Sequence, residues 1–194
     1  MSGEMSSKTK TFNTSKIGRK PIAIPSGVEI EMRYSELVIK GPKGTLVQPL
    51  HPEAKVKLSD GSVIVEQTSS RKFHKALHGL TRSIISNGIT GVTDGYQKTL
   101  ELMGLGYRVQ QSGDGIVLNV GHSHPVDIKA VEGVTITVEG NNRIHVQGID
   151  KQKVGQLASV IRKVRPCSPY KEKGIKYSDE ILRLKPGKSA TRKA

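Results

Sequence analysis

Short runs in which apolar and polar residues alternate recur along the chain. Each group of these runs is followed by a stretch in which the apolar residues have the spacing of a helix. Alternation with a period of two predicts strands, and apolar residues three and four apart predict a helix. Seven apolar positions recur 81 residues later, and the pairs are Leu37 and Leu118, Ile39 and Val120, Val63 and Ile144, Val65 and Val146, Phe73 and Val154, Leu77 and Ala158, and Leu80 and Ile161. A single shared offset indicates a duplicated unit.

Turn signals divide each copy into hairpins. The pair Asp60–Gly61 separates two alternating runs, and an Asp-Gly pair in that setting is a strong hairpin signal. A second turn is expected around Tyr34. Antiparallel hairpins followed by one helix form an α+β domain. The sequence therefore predicts an α+β protein with two tandem duplicated domains, each a mostly antiparallel sheet packed against one helix.

The limits of the two helices follow from capping chemistry. The first helix is expected to begin near Ser69 or Ser70 and the second at Asp150, because these side chains accept hydrogen bonds from the first turn. Gly88 is expected to end the first helix. Pro166 is expected to end the second, because proline cannot continue a helix.

The net charge of +14 is unevenly placed along the 194 residues. Residues 1–20 carry +4, residues 160–176 carry +5 and residues 183–194 carry +5, so the rest of the chain is neutral. Such concentration is typical of a surface that binds a polyanion. We therefore expect a basic flexible arm at 1–20, a first domain at 21–95, a second domain with a binding loop at 96–182, and a basic tail at 183–194.

Composition narrows the class of protein. No apolar run reaches the roughly 18 residues of a membrane span, and the N-terminal residues do not have the apolar segment of a secretory signal. The single cysteine, Cys167, cannot form an internal disulfide and suits a reducing compartment. We expect a cytoplasmic protein, with the plastid stroma as the alternative, that uses no membrane and no small-molecule substrate.

Signals for catalysis or metal binding are weak. His74 and His78 lie four residues apart on the first predicted helix, but the sequence suggests no third ligand. His122 and His124 follow a strand, and a turn at the strand end explains them. The glycines of Gly104–Gly106 precede a strand, whereas a dinucleotide-binding loop precedes a helix, so they indicate a bulge or a close backbone approach. We expect no enzymatic activity, no cofactor and no metal.

The segment from Arg165 to Tyr177 combines cations with residues that prevent a helix. Pro166 and Pro169 stiffen it, and Gly174 is expected to let the backbone approach an outside surface. The chain has too few aromatic residues in its strands for a platform that stacks single-stranded bases. A stiff basic loop fits the shaped phosphate surface of folded RNA, and a non-specific DNA-compacting protein is the alternative that the net charge permits.

Eight stretches of the chain match a known family. They are Ser15–Val28, Val38–Leu46, His74–Asn87, Gly91–Tyr96, Gly104–Arg108, Gly121–Val126, Gly148–Gln156 and Pro169–Tyr177. On these stretches the chain closely resembles bacterial-type large-subunit ribosomal protein six. The resemblance implies two duplicated α+β domains without enzymatic activity that bind 23S ribosomal RNA near the stalk base and the sarcin–ricin loop.

The resemblance also implies partners and contact residues. Neighbouring large-subunit ribosomal proteins at the stalk base are the implied protein partners. The RNA contacts of the family fall mainly on the second domain and the C-terminal tail, which matches the charge distribution. The candidate contacts there are Lys151, Lys153, Arg162, Lys163, Arg165, Tyr170, Lys171, Lys173, Gly174, Lys176, Tyr177, Arg183, Lys185, Lys188, Arg192 and Lys193. Additional candidates in the arm are Lys16, Arg19 and Lys20.

The chain departs from the family pattern in the loop. That pattern reads Pro-Glu-Pro-Tyr-Lys-Gly-Lys-Gly, and this chain has Cys167 for the first Pro and Ser168 for Glu. It also has Glu172 for the Gly between the two lysines, which puts an acid where the backbone is expected to approach RNA. Carried over by position, Tyr170, Lys171, Lys173 and Gly174 are the best candidates for RNA contacts.

Overall fold

The structure, a computed structural model, describes residues 14–59 and 61–188. The chain divides into two compact units, and the division falls between Thr93 and Asp94. Each unit contains antiparallel sheets and one long helix. The prediction of tandem α+β domains is confirmed.

The first unit has six strands followed by one helix. Its elements are β1 (Ile22–Ala23), β2 (Glu29–Arg33), β3 (Glu36–Gly41), β4 (Gly44–Pro49), β5 (Lys55–Ser59), β6 (Ser62–Glu66) and α1 (Lys72–Thr93). The strands form two antiparallel sheets with the orders β2-β3-β4 and β1-β6-β5. Tyr34 has a positive φ of 42° in the turn between β2 and β3, as the sequence predicts.

Helix α1 differs from the expectation at its end and on its face. It continues through Gly88 to its last residue at position 93. A Cβ atom built on Gly88 would lie 2.6 Å from Cδ1 of Ile39, so this glycine brings the helix close to β3 instead of ending it. Phe73 and Leu80, two of the three apolar residues that marked this helix in the sequence, are each 56% exposed and lie outside its buried face. The buried residues of α1 are Leu77, His78, Thr81, Ile85, Gly88, Ile89, Gly91 and Val92.

The second unit repeats this plan and adds one strand. Its elements are β7 (Tyr96–Met103), β8 (Arg108–Ser112), β9 (Gly115–Asn119), β10 (Val126–Ile128), β11 (Val134–Glu139), β12 (Arg143–Gly148), α2 (Lys151–Val164) and β13 (Gly174–Tyr177). One sheet has the order β10-β9-β8, and the other has the order β11-β12-β7-β13. The order β11-β12-β7 corresponds to β5-β6-β1 of the first unit, and β13 extends it at the β7 edge.

Helix α2 matches its sequence signals closely. Asp150 is its N-cap, and a carboxylate oxygen accepts a hydrogen bond of 2.8 Å from the backbone N–H of Gln152. The predicted apolar stripe of Val154, Ala158 and Ile161 is buried. The helix packs on β7, β12 and β13, so its end determines where the chain enters the basic segment.

Candidate nucleic-acid interface

The basic segment forms a loop, residues 166–173, that is closed at its base by hydrogen bonds. The carbonyl of Arg165 accepts a bond of 2.7 Å from the N–H of Ile175, the second residue of β13. Within the loop, the N–H of Ser168 donates to the carbonyl of Lys173 at 3.0 Å. We call residues 166–173 the basic loop. Part of its backbone is hydrogen-bonded within the loop. The side chains of its lysines are exposed.

Two neighbouring residues have positive φ angles, one in the basic loop and one at the start of β13. Glu172 has a φ of 54°, and its N–H donates to the carbonyl of Ser168 at 3.1 Å. Gly174 has a φ of 145°, and a Cβ atom built there would lie 2.5 Å from Cα of Cys167 and 2.6 Å from the carbonyl oxygen of Pro166. Gly174 is buried against its own chain. The expectation that it approaches an outside surface is therefore wrong, because the loop itself fills that space.

A groove of ≈ 690 Å³ runs beside the basic loop. It is lined by Leu105, Gly106, Tyr107, Gly121, Arg165, Pro166, Ser168, Lys171 and Lys173, and none of these residues carries a carboxylate. We call it the basic groove. Nζ of Lys173 lies 5.2 Å from the ring centroid of Tyr107, a cation–π contact. A Cβ atom on Gly104 would lie 2.7 Å from Cγ of Lys173, which confirms the predicted close approach at this glycine.

The far side of the basic groove is not evident from the sequence. Leu105 and Tyr107 belong to the turn between β7 and β8, and Gly121 follows β9. The only signal was the pair of glycines at 104 and 106. His122 is also explained here, because its Nε2 lies 3.1 Å from the carbonyl oxygen of Val164 and donates to the C-terminal end of α2.

Arg162 and Tyr177 are predicted RNA contacts, but each has partners within the unit. The guanidinium of Arg162 forms hydrogen bonds of 2.6 and 3.1 Å to the carboxylate of Glu180, and it lies 5.6 Å from the ring centroid of Tyr177. The same carboxylate accepts the N–H of Tyr177 at 3.3 Å. These hydrogen bonds raise the pKa of Arg162 and lower the pKa of Glu180. The cluster joins α2 to the segment after β13.

Three more candidate lysines have contacts within the second unit. Nζ of Lys176 lies 4.0 Å from Glu101, and the lysine side chain is only 20% exposed. Nζ of Lys153 donates to the carbonyl of Glu132 at 3.3 Å. Nζ of Lys151 lies 5.6 Å from a tyrosine ring centroid, that of residue 96. Their positive charge faces local partners, in contrast to the charges of the basic groove.

The C-terminal segment runs beside the basic loop. The N–H of Lys185 donates to the carbonyl of Pro169 at 3.0 Å. Between positions 163 and 188, the predicted contact residues that are exposed are Lys163, Arg165, Tyr170, Lys171, Lys173, Arg183, Lys185 and Lys188. Arg192 and Lys193 lie outside the described residues. The loop and the first part of the tail are thus neighbours.

In the first unit, a basic segment lies against α1. Gly18 is buried beneath the ring of His78, since a Cβ atom built on it would lie 2.5 Å from three ring carbons. Nε of Arg82 donates to the carbonyl of Lys20 at 3.3 Å, and Arg19 bonds to the hydroxyl of Thr14. The candidate cations Lys16, Arg19 and Lys20 are exposed. The first 13 residues of the predicted arm lie outside the described residues.

The remaining candidates for site chemistry have structural partners. Nε2 of the buried His78 lies 2.9 Å from the carbonyl oxygen of Val65, and Nε2 of His74 lies 3.2 Å from Glu53. Burial raises the pKa of the Cys167 thiol, which disfavours the thiolate that a reactive cysteine needs. Within residues 14–59 and 61–188 there is no cluster of three potential metal ligands. In the same part of the chain, no helix is long and apolar enough to span a membrane.

Two segments, residues 24–95 and 103–178, match the family model of ribosomal protein L6. The chain belongs to this family. The L6 match appears twice, once in each unit, as the duplicated pattern of apolar residues predicts. The resemblance to bacterial-type large-subunit ribosomal protein six is confirmed.

Individual members of the L6 family are similar over most of the chain. The large ribosomal subunit protein uL6 of Caldicellulosiruptor bescii is 57% identical over 175 residues, which cover 90% of this chain and 96% of the relative. Its counterpart in Halalkalibacterium halodurans is 51% identical over 175 residues, covering 90% and 98%. That of Clostridium perfringens is 48% identical over 176 residues, with the same coverage. L6 membership makes this chain a large-subunit ribosomal protein.

Proposed function

We propose that the protein binds 23S ribosomal RNA near the stalk base and the sarcin–ricin loop and stabilises its folded arrangement. Neighbouring large-subunit proteins at the stalk base are the proposed protein partners, and the bacterial cytoplasm is the proposed location. The observation that supports RNA binding most strongly is the basic groove, where Arg165, Lys171 and Lys173 converge with no carboxylate among the lining residues.

The charge of the groove is available to an outside ligand. Within the described residues, Arg165 and Lys171 have no ion-pair partner, and both are exposed. Arg162 and Lys176, by contrast, lie beside carboxylates within the unit. Phosphate groups are the natural counter-charge, because lysine and arginine contacts to them release condensed counterions. RNA phosphates therefore fit this groove better than an acidic protein surface, whose carboxylates are less dense.

The salt dependence of binding tests the proposal. The affinity of the full chain for a 23S fragment that contains the stalk base and the sarcin–ricin loop is measured between 50 and 200 mM salt. Contacts to 6–10 phosphates predict a loss of about 10³–10⁵-fold across that range. A Lys171→Ala, Lys173→Ala double variant is expected to bind more weakly. An affinity that is independent of salt, or unchanged in the double variant, would contradict the proposal.

Competition with DNA separates this function from non-specific DNA compaction. Unlabelled duplex DNA of matched phosphate number is added to the complex of protein and 23S fragment. A shape-specific RNA protein is displaced only at a large excess of DNA. Equal competition by DNA and RNA would support the DNA-compacting alternative instead.

A second RNA contact is proposed for the basic segment of the first unit. Lys16, Arg19 and Lys20 are exposed on a segment that is fixed to α1 through Gly18 and Arg82. Replacing the three cations by Ala removes their charge without uncovering His78, which a deletion would expose. The triple variant is expected to co-sediment less with large subunits through a high-salt wash. Unchanged co-sedimentation would contradict the proposal that this segment contacts RNA.

A further inference from the structure

The basic groove is lined by exposed apolar residues as well as by cations. Leu105 is 95% exposed at the tip of the turn between β7 and β8. Gly104 and Gly106, with φ values of 140° and 78°, give the turn a shape that L side chains rarely allow. Pro166 is exposed on the same groove. A leucine alone would need no explanation, but this one lines a groove together with a proline and three cations.

The lining residues of the groove have two different chemical preferences. Arg165, Lys171 and Lys173 attract phosphate, whereas Leu105 and Pro166 favour an apolar, flat surface. A nucleotide carries both groups a short distance apart. In a duplex, however, the base faces are stacked and inaccessible, and only unpaired nucleotides expose them to a protein. The groove therefore matches an unpaired nucleotide better than a regular duplex.

We propose that the basic groove binds an unpaired nucleotide of RNA, with its phosphate against Lys171 and Arg165 and its base against Leu105 and Pro166. This inference rests on the proposed RNA-binding function, and it names the element of the RNA that the groove recognises. Tyr107 contributes to the wall, although Nζ of Lys173 already occupies one face of its ring.

Chemical probing of deproteinised 23S RNA with the full-length protein tests the inference. Acylation of the 2′-hydroxyl reports unpaired nucleotides, and hydroxyl-radical cleavage reports the sugar–phosphate backbone. The wild-type protein is expected to protect at least one unpaired nucleotide. Leu105→Ser is expected to restore the reactivity of that nucleotide, to leave the backbone footprint in place at saturating protein, and to lower affinity about tenfold, as for loss of one base contact.

Two other variants act as controls. Val131→Ser changes another exposed apolar residue of the second unit, 45% exposed and outside the basic groove, and is expected to leave both patterns unchanged. Lys171→Ala is expected to weaken the whole footprint. Because Leu105 and Val131 are exposed, neither substitution is expected to affect folding.

The outcomes separate this inference from the function on which it rests. Protection of paired nucleotides alone, or protection that survives in Leu105→Ser, would overturn the nucleotide pocket while RNA binding stands. A wild-type protein without any backbone footprint would overturn the RNA-binding function, and the pocket with it.

Discussion

The guanidinium of Arg162 on α2 donates two hydrogen bonds to the carboxylate of Glu180 beyond β13, from Nη2 to Oε1 at 2.6 Å and from Nε to Oε2 at 3.1 Å. Their side chains are 36% and 26% exposed, so the pair is partly shielded from water. A bidentate pair of this geometry is stronger than a single ion contact. It ties the start of the C-terminal segment to the helix that leads into the basic loop.

Glu180→Gln is expected to lower the free energy of unfolding of the second unit by about 1 kcal/mol at pH 7, the discounted value for a partly exposed pair. The pKa of Glu180 is lowered in the folded state, so the carboxylate stabilises the fold above its ordinary value of 4.5 and this contribution is lost as the pH falls through the folded value. Urea denaturation between pH 7 and pH 3 should show the difference from wild type shrinking below pH 4.5.

Asp179→Asn is the matched control for this prediction. Asp179 is the adjacent acid, and its carboxylate is 69% exposed beside Lys98. Solvent screens such a pair, so the variant is expected to change stability much less than Glu180→Gln. Equal effects of the two variants would contradict the importance of the pair with Arg162.

Glu172→Gly is expected to improve both stability and RNA binding. The left-handed conformation costs an L residue roughly 1–2 kcal/mol, and the greater freedom of Gly in the unfolded chain offsets roughly 0.4–1 kcal/mol, which leaves a central gain of about 0.8 kcal/mol within a range of roughly 0–1.6 kcal/mol. Removal of the acid beside Lys171 and Lys173 should raise RNA affinity about fivefold, as for roughly 1 kcal/mol of charge interaction in water. Thermal unfolding and the affinity for the 23S fragment measure the two effects.

Glu172→Gln separates the two causes. It removes the charge and keeps a side chain at the left-handed position, so the affinity is expected to rise while stability does not. If Gln at this position stabilised the loop as much as Gly, the backbone explanation would be wrong.

Gly174→Ala and Gly155→Ala are the same substitution, but their expected effects on the free energy of unfolding are opposite. At Gly174 the new methyl group meets the backbone of Cys167 at 2.5 Å, and a loss of at least about 2 kcal/mol is expected. At Gly155, on the exposed side of α2, an added Cβ atom would have no atom from outside its own helical turn within 4 Å. The free energy of unfolding is therefore expected to rise by about 0.5–1 kcal/mol from helix propensity. Denaturation of both variants under the same conditions measures whether stability falls in Gly174→Ala and rises in Gly155→Ala.

Lys171→Ala is expected to weaken RNA binding and to reduce the slope of its salt dependence by about one. Lys176→Ala removes the same charge from a lysine that is 20% exposed beside Glu101, so its effect on both quantities should be smaller. Titration of the 23S fragment at several salt concentrations gives both numbers. A larger effect at Lys176 would contradict the proposal that the basic groove is the contact surface.

The duplicated architecture could be predicted because both units bury equivalent strand positions. Leu37 and Leu118 are both fully buried, and an offset between such positions survives large changes in loop sequence. The face of α1 could not be predicted in the same way. Its buried side passes through Thr81 as well as Leu77 and Ile85, and a search for apolar residues alone does not count a buried threonine.

The basic loop was visible in the sequence, but the groove beside it was not. Leu105 meets the loop because β13 pairs with β7, and a four-residue strand carries too little pattern to predict its partner. The charge distribution also could not distinguish cations that face solvent from those with partners within the unit. Glu180 is 18 residues from Arg162 in sequence. Only the fold reveals that its carboxylate pairs with this arginine, which is one of the predicted RNA contacts.

The pairing of β13 with β7 also affects how fast a ligand can be captured. Both ends of the basic loop are held before any RNA arrives, one by the bond between Ile175 and Arg165 and the other by the strand ladder. The entropy of ordering this segment is therefore lost during folding and not during association. We therefore expect no slow rearrangement of the basic loop before RNA binds, so that diffusion and long-range attraction set the association rate and the contacts made afterwards set the lifetime of the complex.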